Sequence, residues 1–240
     1  MTRYLASVSN LHEAATILAA GADIIDIKDP NKGALGAVDI FTASEIVKNI
    51  GNRAITSATI GDLPMDPHCI SQAIKNMRPT GVDIIKVGVF SRTVPSELLY
   101  ELKRHAKDNC CLVLVFFADM QPQLDDFSAI SAAGIYGVML DTANKTKGSL
   151  RTILNDSKLG EFIKQVQSCG LMAGLAGSLH LSDIQPLLKL HPDYLGFRSA
   201  LCDQHMRKNR INIHAAHNIR ALIPVYPGNN LKSEQLTVIM

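Results

Sequence analysis

Asp23-Ile-Ile-Asp-Ile-Lys-Asp-Pro-Asn-Lys-Gly33 begins as an apolar run and carries two charges inside it, Asp26 and Lys28. The run is short and stops at a Pro-Asn-Lys-Gly turn, so it reads as a buried strand over Asp23–Asp29. Residues two apart on a strand point to the same face, which sets the carboxylate beside the amine. Neither charge belongs in a buried strand unless it is paired or used.

The same unit recurs outward from this strand. Before it, Tyr4–Val8 reads as a strand, and Asn10 caps a helical pattern of Leu11, Ala14, Ala15, Leu18 and Ala19 that stops at Gly21. After it come a helix over Phe41–Ile50, with Thr42 or Ser44 near its start, a strand over Arg53–Ile60 and a helix over Asp66–Met77. The alternation continues with strand Val82–Phe90, helix Pro95–Ala106, strand Cys111–Ala118 and helix Leu124–Ala133. Strand Tyr136–Leu140 leads through a polar loop to helix Leu159–Ser168, and strand Leu171–Leu175 to a helix around Leu181–Leu190. The last strand is Tyr194–Phe197 and the last helix Ile213–Ile223.

Strands alternating with helices, in units of about 25 to 30 residues, imply parallel crossovers. Eight such units in 240 residues predict an α/β chain folded as a single (β/α)8 TIM barrel over residues 1–224, with a C-terminal tail over 225–240. A doubly wound sheet is the competing architecture, but no Gly-x-Gly-x-x-Gly follows the first strand. Hydrophobic residues make up 47% and aromatics 5%, which suits a core of Ile, Leu, Val and Ala. A net charge of +2 gives no reason to expect a nucleic acid or a membrane as partner. No run reaches the ~18 apolar residues of a membrane span, and the first residues lack a signal pattern, so a cytoplasmic location is expected. Cys69, Cys110, Cys111, Cys169 and Cys202 show neither a disulfide framework nor zinc spacing, and His214 with His217 has no supporting carboxylate. No metal and no cofactor is expected.

Barrel active sites sit at the C-terminal ends of the strands. This chain places Asp26 and Lys28 there on strand two, Lys86 on strand four, Asp119 on strand five and Asp141 on strand six, with Lys145 just beyond. An amine among apolar groups and other cations loses proton affinity, and a neutral amine attacks carbonyls to form a Schiff base. One of Lys28, Lys86 and Lys145 then serves as nucleophile while the others hold phosphate or polarise oxygen, and Asp26 and Asp141 move protons. Gly177 and Ser178 open a helix after strand seven, and Arg198 and Ser199 follow strand eight, where barrels often bind phosphate. The expectation is an aldolase-type enzyme acting on a small phosphorylated molecule. A phosphosugar isomerase without a covalent lysine and a sugar-phosphate sensor are the alternatives. Barrels of this size often associate, and Leu236-Thr-Val-Ile-Met240 is a candidate contact for a homo-oligomer.

The segments Asp26-Ile-Lys-Asp-Pro-Asn-Lys-Gly-Ala-Leu-Gly-Ala37, Ile85-Lys-Val-Gly-Val89, Leu140-Asp-Thr-Ala-Asn-Lys145 and Gly196-Phe-Arg-Ser-Ala-Leu-Cys202 resemble one family across nearly the whole barrel. It is the (5-formylfuran-3-yl)methyl phosphate synthase family of methanofuran biosynthesis. The resemblance implies condensation of two glyceraldehyde 3-phosphate molecules into a furan aldehyde that keeps one phosphate, with loss of phosphate and water. It makes Lys28 the Schiff-base lysine, and Asp26, Lys86, Asp141 and Lys145 its proton-transfer and orienting partners. Two positions depart from the pattern: Lys147 adds a second lysine to the loop after strand six, and Ala34 stands where Ser is expected in a phosphate-contacting turn.

Overall fold

The computed structural model describes residues 1–144 and 147–225. Eight parallel strands close a barrel in sequence order. The elements are β1 (Arg3–Val8), α1 (Leu11–Ala19), β2 (Ile24–Ile27), α2 (Ile40–Ile50), β3 (Ile55–Thr59) and α3 (Pro67–Met77). They continue with β4 (Ile84–Val89), α4 (Ser96–Lys107), β5 (Leu112–Phe117), α5 (Ser128–Ala132), β6 (Gly137–Asp141) and α6 (Leu150–Ile153). The chain closes with α7 (Asp156–Ser168), β7 (Met172–Leu175), α8 (Leu181–Leu188), β8 (Tyr194–Phe197) and α9 (Ile213–Leu222). Tail residues from 226 onward, including Leu236–Met240, lie outside the described residues, as does Lys145.

Alternation along each strand explains why the runs look apolar throughout. Ile25, Ile27, Val87, Leu114 and Leu140 face the helices and join the outer core. Leu5, Ile24, Ile55, Ile84, Val113, Met139 and Tyr194 face inward and plug the barrel. Two residues further along the strands, the inward positions of β1, β2, β3, β4 and β6 become Ser7, Asp26, Ser57, Lys86 and Asp141. An apolar floor thus carries a polar layer at the end where the strands finish.

Helix starts follow their caps. Asn10 caps α1, Asp66 caps α3 with Pro67 behind it, and Asn155 and Asn212 cap α7 and α9. Three boundaries differ from those expected. Asp39 caps α2, accepting the Thr42 N–H at 2.8 Å, and starts it at Ile40 rather than Phe41. The helix expected from Leu124 begins only at Ser128, because Asp126 accepts the Ser128 N–H and spends the preceding residues as a turn. Asn155 starts α7 three residues before Leu159, and the polar loop ahead of it holds the short α6.

Not every carboxylate beside a strand faces the mouth. Asp23, Asp83 and Asp193 lie at the opposite end and accept the N–H groups of Tyr4, Thr56 and Ala173 from neighbouring strands. Asp23 also pairs with Arg220 of α9 at 2.8 Å, which latches the last helix to the barrel base. All five cysteines are free. Among the described residues no helix is long and apolar enough to cross a membrane, and no cluster of three His, Cys, Asp or Glu could hold a metal.

Candidate active site at the mouth of the barrel

Strand register builds the centre of the site. Asp26 on β2 lies opposite Ser7 of β1 and Ser57 of β3. The two hydroxyls donate to its separate carboxylate oxygens, at 2.9 and 2.7 Å. Lys86 reaches over from β4 and puts its Nζ 2.5 Å from Asp26 Oδ1. Asp26 is 0% exposed and Lys86 2%, so this is an ion pair removed from water. Burial alone would push the Asp26 carboxyl up, but the charges of Lys86 and Lys28 and the hydrogen bonds from Lys86 and Ser57 hold it below the usual carboxylate range. Burial pushes Lys86 down from the ordinary lysine value, opposed by Asp26 and reinforced by Lys28.

Lys28 stands just past the end of β2, with its amide donating to the Val8 carbonyl at 2.9 Å. Its Nζ lies 3.7 Å from Asp141 Oδ2, the last residue of β6. Lys28 is 7% exposed against 2% for Asp141. Two lysine–aspartate pairs therefore sit side by side, and their environments differ. Lys86 is sealed away and Asp26 accepts three donors, while Lys28 and Asp141, together with Asp26, line a cleft open to the mouth.

The same cleft is lined by Gly177, Ser178, Arg198, Ser199 and Arg207. Gly177 has φ +109°, and a Cβ there would come within 2.9 Å of the Thr142 methyl and 3.1 Å of its amide. Glycine is needed for the turn after β7 to pass against the loop after β6. The expected anion contacts are thus gathered around Lys28, with one change in how they are used. The Arg198 guanidinium, 9% exposed, is locked onto Glu13 of α1 at 2.6 and 3.1 Å and donates to the carbonyls of Ser7 and Arg207. Its fork is spent on protein groups.

Arg207 was not legible in the sequence, where it stands in an ordinary polar loop. The structure carries it to the cleft wall, where its Nη2 donates to the Gly33 carbonyl at 2.9 Å and Arg198 grips its own carbonyl at 2.8 Å. Ser7 and Ser57 were missed too, although a serine inside each apolar strand was the available signal. The Gly33–Leu35 turn is held by Asp62, whose two oxygens accept the Ala34 and Leu35 amides. The Ala34 amide, in the turn expected to contact phosphate, is engaged by Asp62.

Asp119, just past β5, accepts the amides of Ala143 and Asn144 at 2.7 and 2.8 Å. It fixes the loop that leads to Lys145. Lys147 is exposed and lines a cavity of about 690 Å³ on the flank between the β5 loop and α7. That cavity mixes Arg92 and Lys158 with Asp125 and Glu161, and it does not reach Lys28.

With this geometry in place, the comparisons are specific. A family model described as 4-HFC-P synthase matches residues 4–220. The chain belongs to the 4-HFC-P synthase family. A Methylorubrum extorquens member is 40% identical over 210 residues, covering 88% of this chain and 86% of its own. The (5-formylfuran-3-yl)methyl phosphate synthase of Methanopyrus kandleri is 33% identical over 231 residues, 92% of this chain and 97% of its own. Among solved structures, 3-hexulose-6-phosphate synthase superposes with a TM-score of 0.66 at 15% identity, covering 93% of this chain and all of that one. The last likeness speaks for the barrel alone. Within the 4-HFC-P synthase family, the matched span contains all four described lysine and aspartate residues of the two pairs.

Proposed function

We propose that the protein is a (5-formylfuran-3-yl)methyl phosphate synthase of methanofuran or related C1-carrier biosynthesis. It condenses two molecules of glyceraldehyde 3-phosphate through a Schiff base on Lys28, as a phosphate-eliminating, class I aldolase-like lyase in the cytoplasm. The observation that carries this reading is the contrast between the two ion pairs. A nucleophile must reach substrate, and of the two buried amines Lys28 is the one lining the cleft beside Gly177 and Ser178.

In this reading the Lys28 amine attacks the carbonyl of the first triose phosphate, and the carbinolamine loses water to give an iminium. Asp141 takes a proton from the adjacent carbon, and the electron pair forms an enamine. The enamine then expels its phosphate as the neighbouring C–O bond breaks, and condensation with the second triose phosphate, ring closure and loss of two water molecules leave the furan and free the Lys28 amine. The Asp26–Lys86 pair supplies fixed opposite charges under the reacting carbons without itself exchanging protons at each step, because Asp26 already accepts from Ser7, Ser57 and Lys86. Gly177, Ser178 and Ser199 bind the retained phosphoryl group, and Arg198 positions the turn around them. Lys145 keeps the orienting role that the family resemblance gives it.

Incubation with glyceraldehyde 3-phosphate, following inorganic phosphate and furan absorbance together, tests the proposal. Phosphate and furan should rise in equal amounts. Exchange of solvent protons into triose phosphate without either product would identify an isomerase instead.

A further inference from the structure

A second cavity of about 600 Å³ opens next to the Lys28 cleft and shares three wall residues with it, Ser178, Ser199 and Arg207. Its remaining side chains include His180, His205 and Lys208, and none of the described residues lining it is a carboxylate. The acid in the adjoining helix, Asp183, is engaged by Arg151 and by the His180 amide. In the cleft, by contrast, Asp26 and Asp141 offset Lys28 and Lys86. The outer cavity thus gathers cationic and imidazole groups with no carboxylate among its described lining residues.

The rim is built rather than incidental. Ser178, Gln204 and His205 all have positive φ (49°, 56° and 55°), a conformation that side-chain-bearing residues adopt at a cost. Arg207 is anchored twice, through Gly33 to the β2 loop and through Arg198 to Glu13 of α1.

We propose that this outer basic cavity receives the phosphoryl group expelled during the condensation, with Arg207 and Lys208 stabilising it as it leaves. The inference rests on the synthase reading above. In the expulsion step a carboxylate of the cleft takes a proton from carbon and the C–H pair becomes a C=C bond. The neighbouring C–O bond breaks with its electrons passing to the phosphate oxygen. No redox partner is involved, and the phosphate departs toward solvent through the cavity.

The test uses inorganic phosphate on the intact chain, read by ³¹P NMR titration, alongside turnover and borohydride trapping at Lys28. Lys208→Glu changes an exposed residue and guards against a folding artefact; Arg207→Ala removes the central cation. The proposal expects phosphate affinity at least ~10-fold weaker in both variants, phosphate release slowed by a similar factor, and trapping at Lys28 retained. Unchanged phosphate affinity and release in both variants would overturn it. Wild-type protein that yields no furan would sink the synthase reading separately, since the phosphate titration is read without turnover.

Discussion

Asp26 receives Ser7, Ser57 and Lys86 on two oxygens in a site without exposure, so its charge is part of the structure. Asp26→Asn leaves Lys86 buried without its counter-ion and should cost ~3–5 kcal/mol in urea unfolding. Ser57→Ala removes one hydrogen bond and should cost ~1 kcal/mol. Its pH signature is distinctive. A carboxyl lowered in the folded state adds stability above its unfolded pKa of about 3.9, and that contribution is lost as pH falls through the lower folded value. Ser57→Ala lets the Asp26 value rise, so acid unfolding followed by circular dichroism should move to higher pH. Lys86 acts in the same direction in a higher window: its depressed pKa makes stability rise with pH between its folded value and the free-lysine value. The four charges in the strands were legible because each interrupts an apolar run. Their pairing was not, because Lys86 meets Asp26 only once β2 and β4 are wound around the same axis.

At the scale of elements, the loops matter through what holds them. Asp119 clamps Ala143 and Asn144, the residues before Lys145. Asp119→Ala should lower kcat about 10- to 100-fold, the effect of small misplacements in an active site, with little change in the unfolding midpoint. Asp119→Asn keeps one acceptor oxygen and should retain more activity. A steady-state assay beside a thermal melt checks both. The helix α1 has a comparable duty, since Glu13 pins Arg198 across 185 positions of sequence. Such a contact has no local signal, so the bracing of Arg198 by Glu13 was not legible in the sequence. Boundaries shifted where a cap acted early or late, as Asn155 and Asp126 show.

The whole molecule is a layered cylinder: an apolar plug below, a charged ring above it, and loops that shape the mouth. Its eightfold alternation was readable because each strand is an apolar run punctuated by turn residues, and because no competing dinucleotide motif appears. Layer packing was not readable, since it depends on which side chains meet inside. Gly174 illustrates this, because a Cβ there would lie 2.1 Å from the Tyr194 ring. Gly174→Ala should therefore destabilise the barrel by ~1–3 kcal/mol, seen as a lower unfolding midpoint, through overpacking of the plug.

The division of labour between the two ion pairs predicts where a covalent intermediate forms. Borohydride reduction with glyceraldehyde 3-phosphate, followed by peptide mass mapping, measures this directly. A triose-phosphate mass increment is expected on the peptide containing Lys28, absent in Lys28→Ala. Modification at Lys86, or no adduct in a preparation that still makes furan, would contradict it.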